Sequence, residues 1–308
     1  MKLRLATLLG DYPGARAVRN GTVKSPLFEL DICDAKVSNR VFPRVVNSRE
    51  FAVAEIALVT FFQARAAGRP LVLVPAVIGA GRHQHQCLVY NAERSGPITP
   101  ETLAGKRVGI RSVGQTTVTW VRGILQNDHG VDLNAVRWVT FENAHLDGFA
   151  DPPGLERAQG DKPLLDRLYD GELDAAIIGT GLPDDPRLKP VISNPLQAAR
   201  EWTLRNGAVS INHMVALDAD LARERPDVVR EVWRLLCEGK RIAAEPRVEG
   251  FDLTPFGLEA NRASLALLLT YAEQQGLLAR PLTVDELFDD TTRALEMAPH
   301  TDNTETTV

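Results

Sequence analysis

LAGKRVGIRSVGQTTVTWVRGILQNDHGV, residues 103–131, decides the fold. Arg107 to Ile110 reads as a short apolar strand, Ser112 and Gly114 as a turn, and about Gln115 to Asp128 as a helix. Gly130 then stands where a helix C-cap takes the left-handed conformation. A buried strand that feeds a glycine-containing turn and a helix is the unit of open α/β sheets. Their ligands sit beyond the carboxyl ends of the strands. The helix start offers unpaired N–H groups and a positive dipole end, with Gln115, Thr116 and Thr117 beside it. That combination suits an anion, most simply a carboxylate.

The chain's 308 residues suffice for two domains, each with its own core. A net charge of -5 gives no support for nucleic acid or an anionic membrane as partner. Cys33, Cys87 and Cys237 are widely spaced, without a CxxC or Cys/His metal pattern, and read as free thiols in a reducing compartment. The basic start MKLR leads into an apolar run that Arg4 interrupts and Asp11 ends. Leu3 to Leu9 is therefore read as a strand rather than a signal peptide. No stretch reaches bilayer length, and the expected location is cytoplasmic.

Outward from the central unit, Gly10-Asp11-Tyr12-Pro13-Gly14 lies at the ligand edge of the first strand, where Asp11 and Tyr12 either face a cleft or serve the turn. Leu27 to Ile32 and Phe51 to Ala54 read as strands, with Glu55 opening an apolar helix that Gly68 closes; Leu71 to Ala76 is a further strand. In IGAGRHQHQ, residues 78–86, two glycines free the backbone before Arg82, His83 and His85. This reads as a polar ligand site. A His-x-His metal pair is the alternative, but no third ligand stands at matched spacing, so no metal is expected. The strand Cys87 to Tyr90 follows, and the chain is expected to cross to a second domain near Asn91.

Beyond the central unit, Val136 to Phe141 is a strand and residues 142–160, including His145, a surface loop. Leu173 to Ile178 is a buried strand with Thr180 and Gly181 at its carboxyl end. VSINHMVAL, residues 209–217, carries His213 inside a strand that returns to the first domain; the histidine is either a core residue or part of the cleft. Helices are expected over Pro226–Ala244, Leu258–Gln275 and Thr283–Leu295, and a disordered tail over 299–308. Alternating strands and helices with two crossings predict an α/β protein of two lobes, 1–91 plus about 215–298 and about 92–214, with a ligand cleft between them and a helical C-terminal part.

The central run resembles the corresponding segment of 4,5-dihydroxyphthalate decarboxylases and their relatives. The resemblance extends to Gly10-Asp11-Tyr12, to FAVAEIAL around Glu55, to the His85 loop before Tyr90-Asn91, to GELDA at 171–175 and to His213 before Val215. The loop before His85 has His83-Gln84 where a phenylalanine-arginine pair is expected, and FAVAEIAL lacks an acidic residue and serines of the relatives. The resemblance implies a type 2 periplasmic-binding-protein fold and loss of carbon dioxide from a hydroxylated aromatic acid without metal or organic cofactor. Homo-oligomers are left open.

That reaction needs an acid for the ring carbon, a group facing the ring hydroxyl and an anchor for a second anionic group. Gripping the departing carboxylate tightly in the ground state would raise the barrier. Arg82 or Arg122, with the Gln115-Thr116-Thr117 helix start, suits anchoring. His85 or His213 suits proton transfer, and Glu55 suits orienting a histidine or meeting the hydroxyl. Asp11 and His83 belong to the expected rim, and Trp120 either stacks on the ring or fills the core. A non-catalytic cytoplasmic solute-binding protein for a small organic acid, of the ABC-transporter type, is the alternative, because this fold serves both.

Overall fold

A computed structural model describes residues 2–35, 37–79 and 81–297. The strands are β1 (Leu3–Leu8), β2 (Phe28–Ile32), β3 (Val53–Ala57), β4 (Leu71–Val77), β5 (Leu88–Asn91), β6 (Arg107–Ile110), β7 (Arg137–Thr140), β8 (Glu156–Arg157), β9 (Ala175–Ile177), β10 (Leu188–Pro190) and β11 (His213–Asp218). The helices are α1 (Pro13–Arg19), α2 (Phe42–Ser48), α3 (Leu58–Ala66), α4 (Thr116–His129), α5 (Leu164–Asp170), α6 (Pro195–Asn206), α7 (Ala219–Glu224), α8 (Pro226–Ala243), α9 (Leu258–Gln274) and α10 (Asp290–Arg293).

Two sheets form, ordered β2-β1-β3-β11-β4 and β10-β5-β9-β6-β7-β8. In the first, β1 pairs in parallel with β2 and β3, while the returning β11 runs antiparallel between β3 and β4. In the second, β9, β6, β7 and β8 are parallel, and β5 pairs antiparallel with β9 and β10. β5 thus belongs to the second sheet, and the chain passes from one sheet to the other between β4 and β5, close to the crossing expected near Asn91. α9 packs on both α3 and α4: a Cβ at Gly123 of α4 would come within 2.0 Å of the Tyr271 ring. Asn127 and Gln274 exchange amide hydrogen bonds across the same contact at 2.9 and 3.2 Å.

The central strand-turn-helix folds as the sequence predicts, with Gly130 left-handed at φ 65°. Its helix differs in one respect: residues 116–125 are buried on every side. α3 and α9 press on α4 from outside the sheet, so one core runs from Leu8, Ile56 and Phe61 to Ile110, Trp120 and Tyr271. A second core fills the other face of the first sheet and includes Val215, Val18 of α1 and Trp233 of α8.

Three expectations are corrected. Glu55 lies inside β3, all five of whose residues are buried, rather than opening a helix; a short apolar run does not distinguish a strand covered on both faces from a helix. His213 begins β11 instead of lying mid-strand. The helix expected over 283–295 is a single turn at Asp285–Leu287, then extended Phe288, then α10. Asp289 caps α10 through the Thr292 N–H at 2.7 Å, which restarts the chain there. The tail expected at 299–308 lies outside the described residues. Among those described, no helix is long and apolar enough to cross a membrane.

Candidate active site

The carboxyl ends of β1, β3, β4, β6, β7 and β9, with the start of β11, converge on a cavity of about 520 Å3. This is the position that open parallel sheets reserve for ligands. Asp11, Arg82, Gln115, Thr116, Thr117 and His213 line it together.

Glu55 stands directly behind His213. Its carboxylate is fully buried, accepts the Gly10 N–H at 2.6 Å and meets His213 Nδ1 at 2.6 Å. The Tyr12 hydroxyl donates to the same carboxylate; burial first, then the Glu55 charge and this hydrogen bond, push its pKa above the ordinary phenol value. The phenol therefore keeps its proton. A carboxylate on Nδ1 holds a proton there and leaves Nε2 as the imidazole's working nitrogen. The arrangement depends on two glycines. A Cβ at Gly10 would approach Tyr12 Cε2 to 2.3 Å and Glu55 Oε2 to 2.7 Å. One at Gly79, itself at φ 68°, would strike the Tyr12 ring at 2.3 Å.

The lining also carries cations. Arg82 donates through Nη2 to Thr180 Oγ1 at 2.9 Å, and among the described residues it forms no ion pair. Gly179 makes room for it, since a Cβ there would lie 2.7 Å from Arg82 Nη1 and 3.1 Å from Thr117 Oγ1. Gln115 occupies the N-cap of α4 in extended conformation without side-chain capping. The Thr116 hydroxyl accepts the Val59 N–H at 3.2 Å and so fastens this helix start to α3. Arg111 and Arg19 add two more guanidinium groups. Arg111 Nε stands 3.3 Å from Glu142, while Arg19 donates to the Leu9 carbonyl. Asp11 is occupied by Arg16 at 2.9 Å.

His145 corrects the surface-loop reading. It lines the cavity, with Nδ1 2.9 Å from Thr60 Oγ1 and its ring edge-on to Phe42 at 5.7 Å. Phe42 also meets the His213 ring, at 5.4 Å. Burial, assisted by Arg111 and His213, pushes the His145 pKa down to about 4, so the ring is neutral near pH 7. Asn47 of α2 holds the segment in place by donating to the His145 carbonyl at 2.9 Å and accepting the Asp147 N–H at 3.0 Å. A lone histidine in a polar stretch carries no signal of this. Arg111, also missed, did carry one: it directly follows β6 at the sheet's ligand edge.

His83, His85, Trp120 and Arg122 are not among the lining residues. The chain turns at His85–Cys87, so the two histidines do not share a face as they would in an extended segment. His85 is 3% exposed, edge-on to Trp202 at 5.8 Å, with a pKa pushed by burial down to about 3. His83 packs against Phe251. Among the described residues, no group of three or more His, Cys, Asp or Glu side chains is placed to hold a metal ion. Trp120 is core: its indole donates to the Ile211 carbonyl at 2.7 Å between Trp202 and Tyr271. Arg122 lies over the Trp138 ring at 4.9 Å and lines a different cavity.

No protein-family model matches the chain. It is 25% identical to a 4,5-dihydroxyphthalate decarboxylase of Comamonas testosteroni over 93% of this chain and 96% of that protein. With one from Pseudomonas putida it shares 28% identity over 65% of this chain and 81% of the other. Among solved structures, the periplasmic aliphatic sulphonate binding protein SsuA of Escherichia coli superposes with a TM-score of 0.58 at 12% identity, covering 93% of this chain and 97% of its own. The desulfurization enzyme DSZB superposes at 0.54 and 13%, covering 94% and 98%. The chain therefore has the type 2 periplasmic-binding-protein fold. In sequence it is similar to 4,5-dihydroxyphthalate decarboxylases.

Proposed function

We propose that the cavity decarboxylates a hydroxylated aromatic carboxylic acid of phthalate or benzoate type, using the side chains of this chain alone. The observation that carries the reading is His213 on the wall of the same cavity as Arg82, with the buried Glu55 carboxylate on its Nδ1 and, among the described residues, no carboxylate paired with Arg82. The likeness over nearly the full length to a protein named 4,5-dihydroxyphthalate decarboxylase supports it.

Arg82, with Thr117, Thr180 and the start of α4, anchors a carboxylate that stays on the ring. The ring hydroxyl pushes electron density toward the carbon that bears the departing group. His213, protonated and held through Nδ1 by Glu55, delivers a proton to that carbon. The electron pair of the carbon–carboxylate bond then returns to the ring, and carbon dioxide leaves. The net change is exchange of a carboxylate for hydrogen with consumption of one proton. Neutral His145 and the Tyr12 phenol are placed to hydrogen-bond the ring hydroxyl. His213 rather than His85 takes this role, because His85 is sealed in the core. Three unpaired cysteines support a reducing compartment, and we place the reaction in the cytoplasm.

The test is carbon dioxide release by purified protein from hydroxylated phthalates and benzoates after chelator treatment. Release that His213→Asn abolishes, with His85→Phe near wild type, supports the reading. Binding without any product would establish instead the second reading, a solute-binding protein, which the sulphonate-binding neighbours favour through fold alone.

A further inference from the structure

We propose that a second cavity, at the far end of α4 from the active site, binds a small carboxylate on Arg122. The cavity measures about 620 Å3 and is lined by Arg122, Gln126, Asn134, Trp138, Pro153 and Gln275 among others. It forms where the C-terminal ends of α4 and α9 meet the 131–138 segment. Arg122 is 7% exposed, and its Nε and Nη1 are buried with no hydrogen-bond partner. No hydrogen bond or ion pair from its guanidinium exists among the described residues; its contact is the face of Trp138. Burial alone pushes its pKa down to about 10, with no counter-charge acting on it.

A buried cation without an anion is costly, and the usual remedy is a partner charge. Here the neighbouring walls supply none. Asp132, the one carboxylate among the lining residues, is exposed and caps the Asn134 N–H at 2.9 Å. The space beside the guanidinium is what remains for a negative group. Gln275 adds polar lining: its amide nitrogen donates to the Thr119 carbonyl at 2.9 Å, and its amide oxygen is unpartnered. The charge of the ligand is also constrained. Gly130, Gln274, Gln275 and Gly276 bring two helix C-termini to the wall, whose partial negative ends oppose a dianion. A singly charged carboxylate therefore fits better than phosphate.

The experiment uses acetate and phosphate as probes, in full-length protein carrying Arg82→Gln and Arg111→Gln to weaken anion binding in the cleft, with the Arg122 variant in the same background separating what remains there. Melting temperature and tryptophan emission are followed during titration. Expected is saturable binding of acetate, with melting raised by about 2 °C at ten times Kd. A Trp138 emission change should accompany it and vanish in Trp138→Phe. Arg122→Gln should remove the shift. Asn134→Trp, which adds bulk at an exposed lining position and keeps Arg122, should remove it too and guards against a misfolded Arg122 variant. The proposal is overturned if acetate shows no saturable effect, if its effect survives both substitutions, or if phosphate binds more tightly.

Discussion

At the scale of single residues, the candidate chemistry rests on one carboxylate with three hydrogen-bond donors. Glu55 receives Gly10, Tyr12 and His213, so its removal disorients the imidazole and strands a buried N–H at once. Replacing Glu55 by Gln should lower kcat by about 10²–10⁴-fold, as loss of a positioned acid–base pair does. It should also cost about 1–3 kcal/mol of stability, read by denaturant unfolding. Arg82 works differently. In the proposed reaction its charge is offered to the part of the substrate that does not react, so Arg82→Met should raise KM by about 10–10²-fold with a smaller change in kcat. A kcat loss as large as that of Glu55→Gln would place Arg82 at the reacting carboxylate instead. Both readouts come from steady-state kinetics on the decarboxylated substrate.

At the scale of elements, α4 is the member on which the others bear. Its start, Thr116 and Thr117, forms part of the cavity wall, while Gly123 in its middle accepts the Tyr271 ring of α9. Gly123→Ala would introduce a methyl where 2.0 Å is available, so ring and helix must separate. Overpacking of this kind costs about 1–3 kcal/mol, and a lower denaturation midpoint should report it. Because α9 is then displaced from α4, the variant should also expose Trp120 and Trp202, seen as a red shift of emission. An unchanged midpoint would mean that α9 does not grip α4 as closely as described. Chain order alone says nothing about where α9 docks, and it reaches both α4 and α3.

At the scale of the whole molecule, two buried histidines set an acid limit. Burial holds the His85 pKa at about 3 and that of His145 at about 4, whereas in the unfolded chain both take up protons from about pH 6.5 downward. Between those values the unfolded state binds more protons than the folded one, so stability falls as pH falls. The stabilisation is complete above about pH 6.5 and is lost through pH 4 and then 3, with a slope of up to about 1.4 kcal/mol per pH unit for each ring. Melting curves from pH 7 to 4 should show the decline, and His85→Phe should flatten it, since the phenyl ring keeps the edge contact with Trp202 and takes no proton. A His85→Phe profile parallel to wild type would show that His85 titrates normally.

What the amino-acid order determined by itself was local: where strands and helices alternate, that Gly130 ends α4, and that the loops after the strands hold the polar groups. Those follow from periodicity and turn chemistry, which act over a few residues. From the same rules came Asp11, Arg82, Gln115, Thr116 and Thr117 at the cavity, with His213 left between core and cleft. Only the tertiary structure decided that question, sent His85, Trp120 and Arg122 elsewhere and brought in His145 and Arg111. The reason is that a side chain's role depends on what other elements pack around it. Glu55 meets His213 because β3 and β11, 158 positions apart along the chain, lie side by side, a pairing that no local pattern encodes.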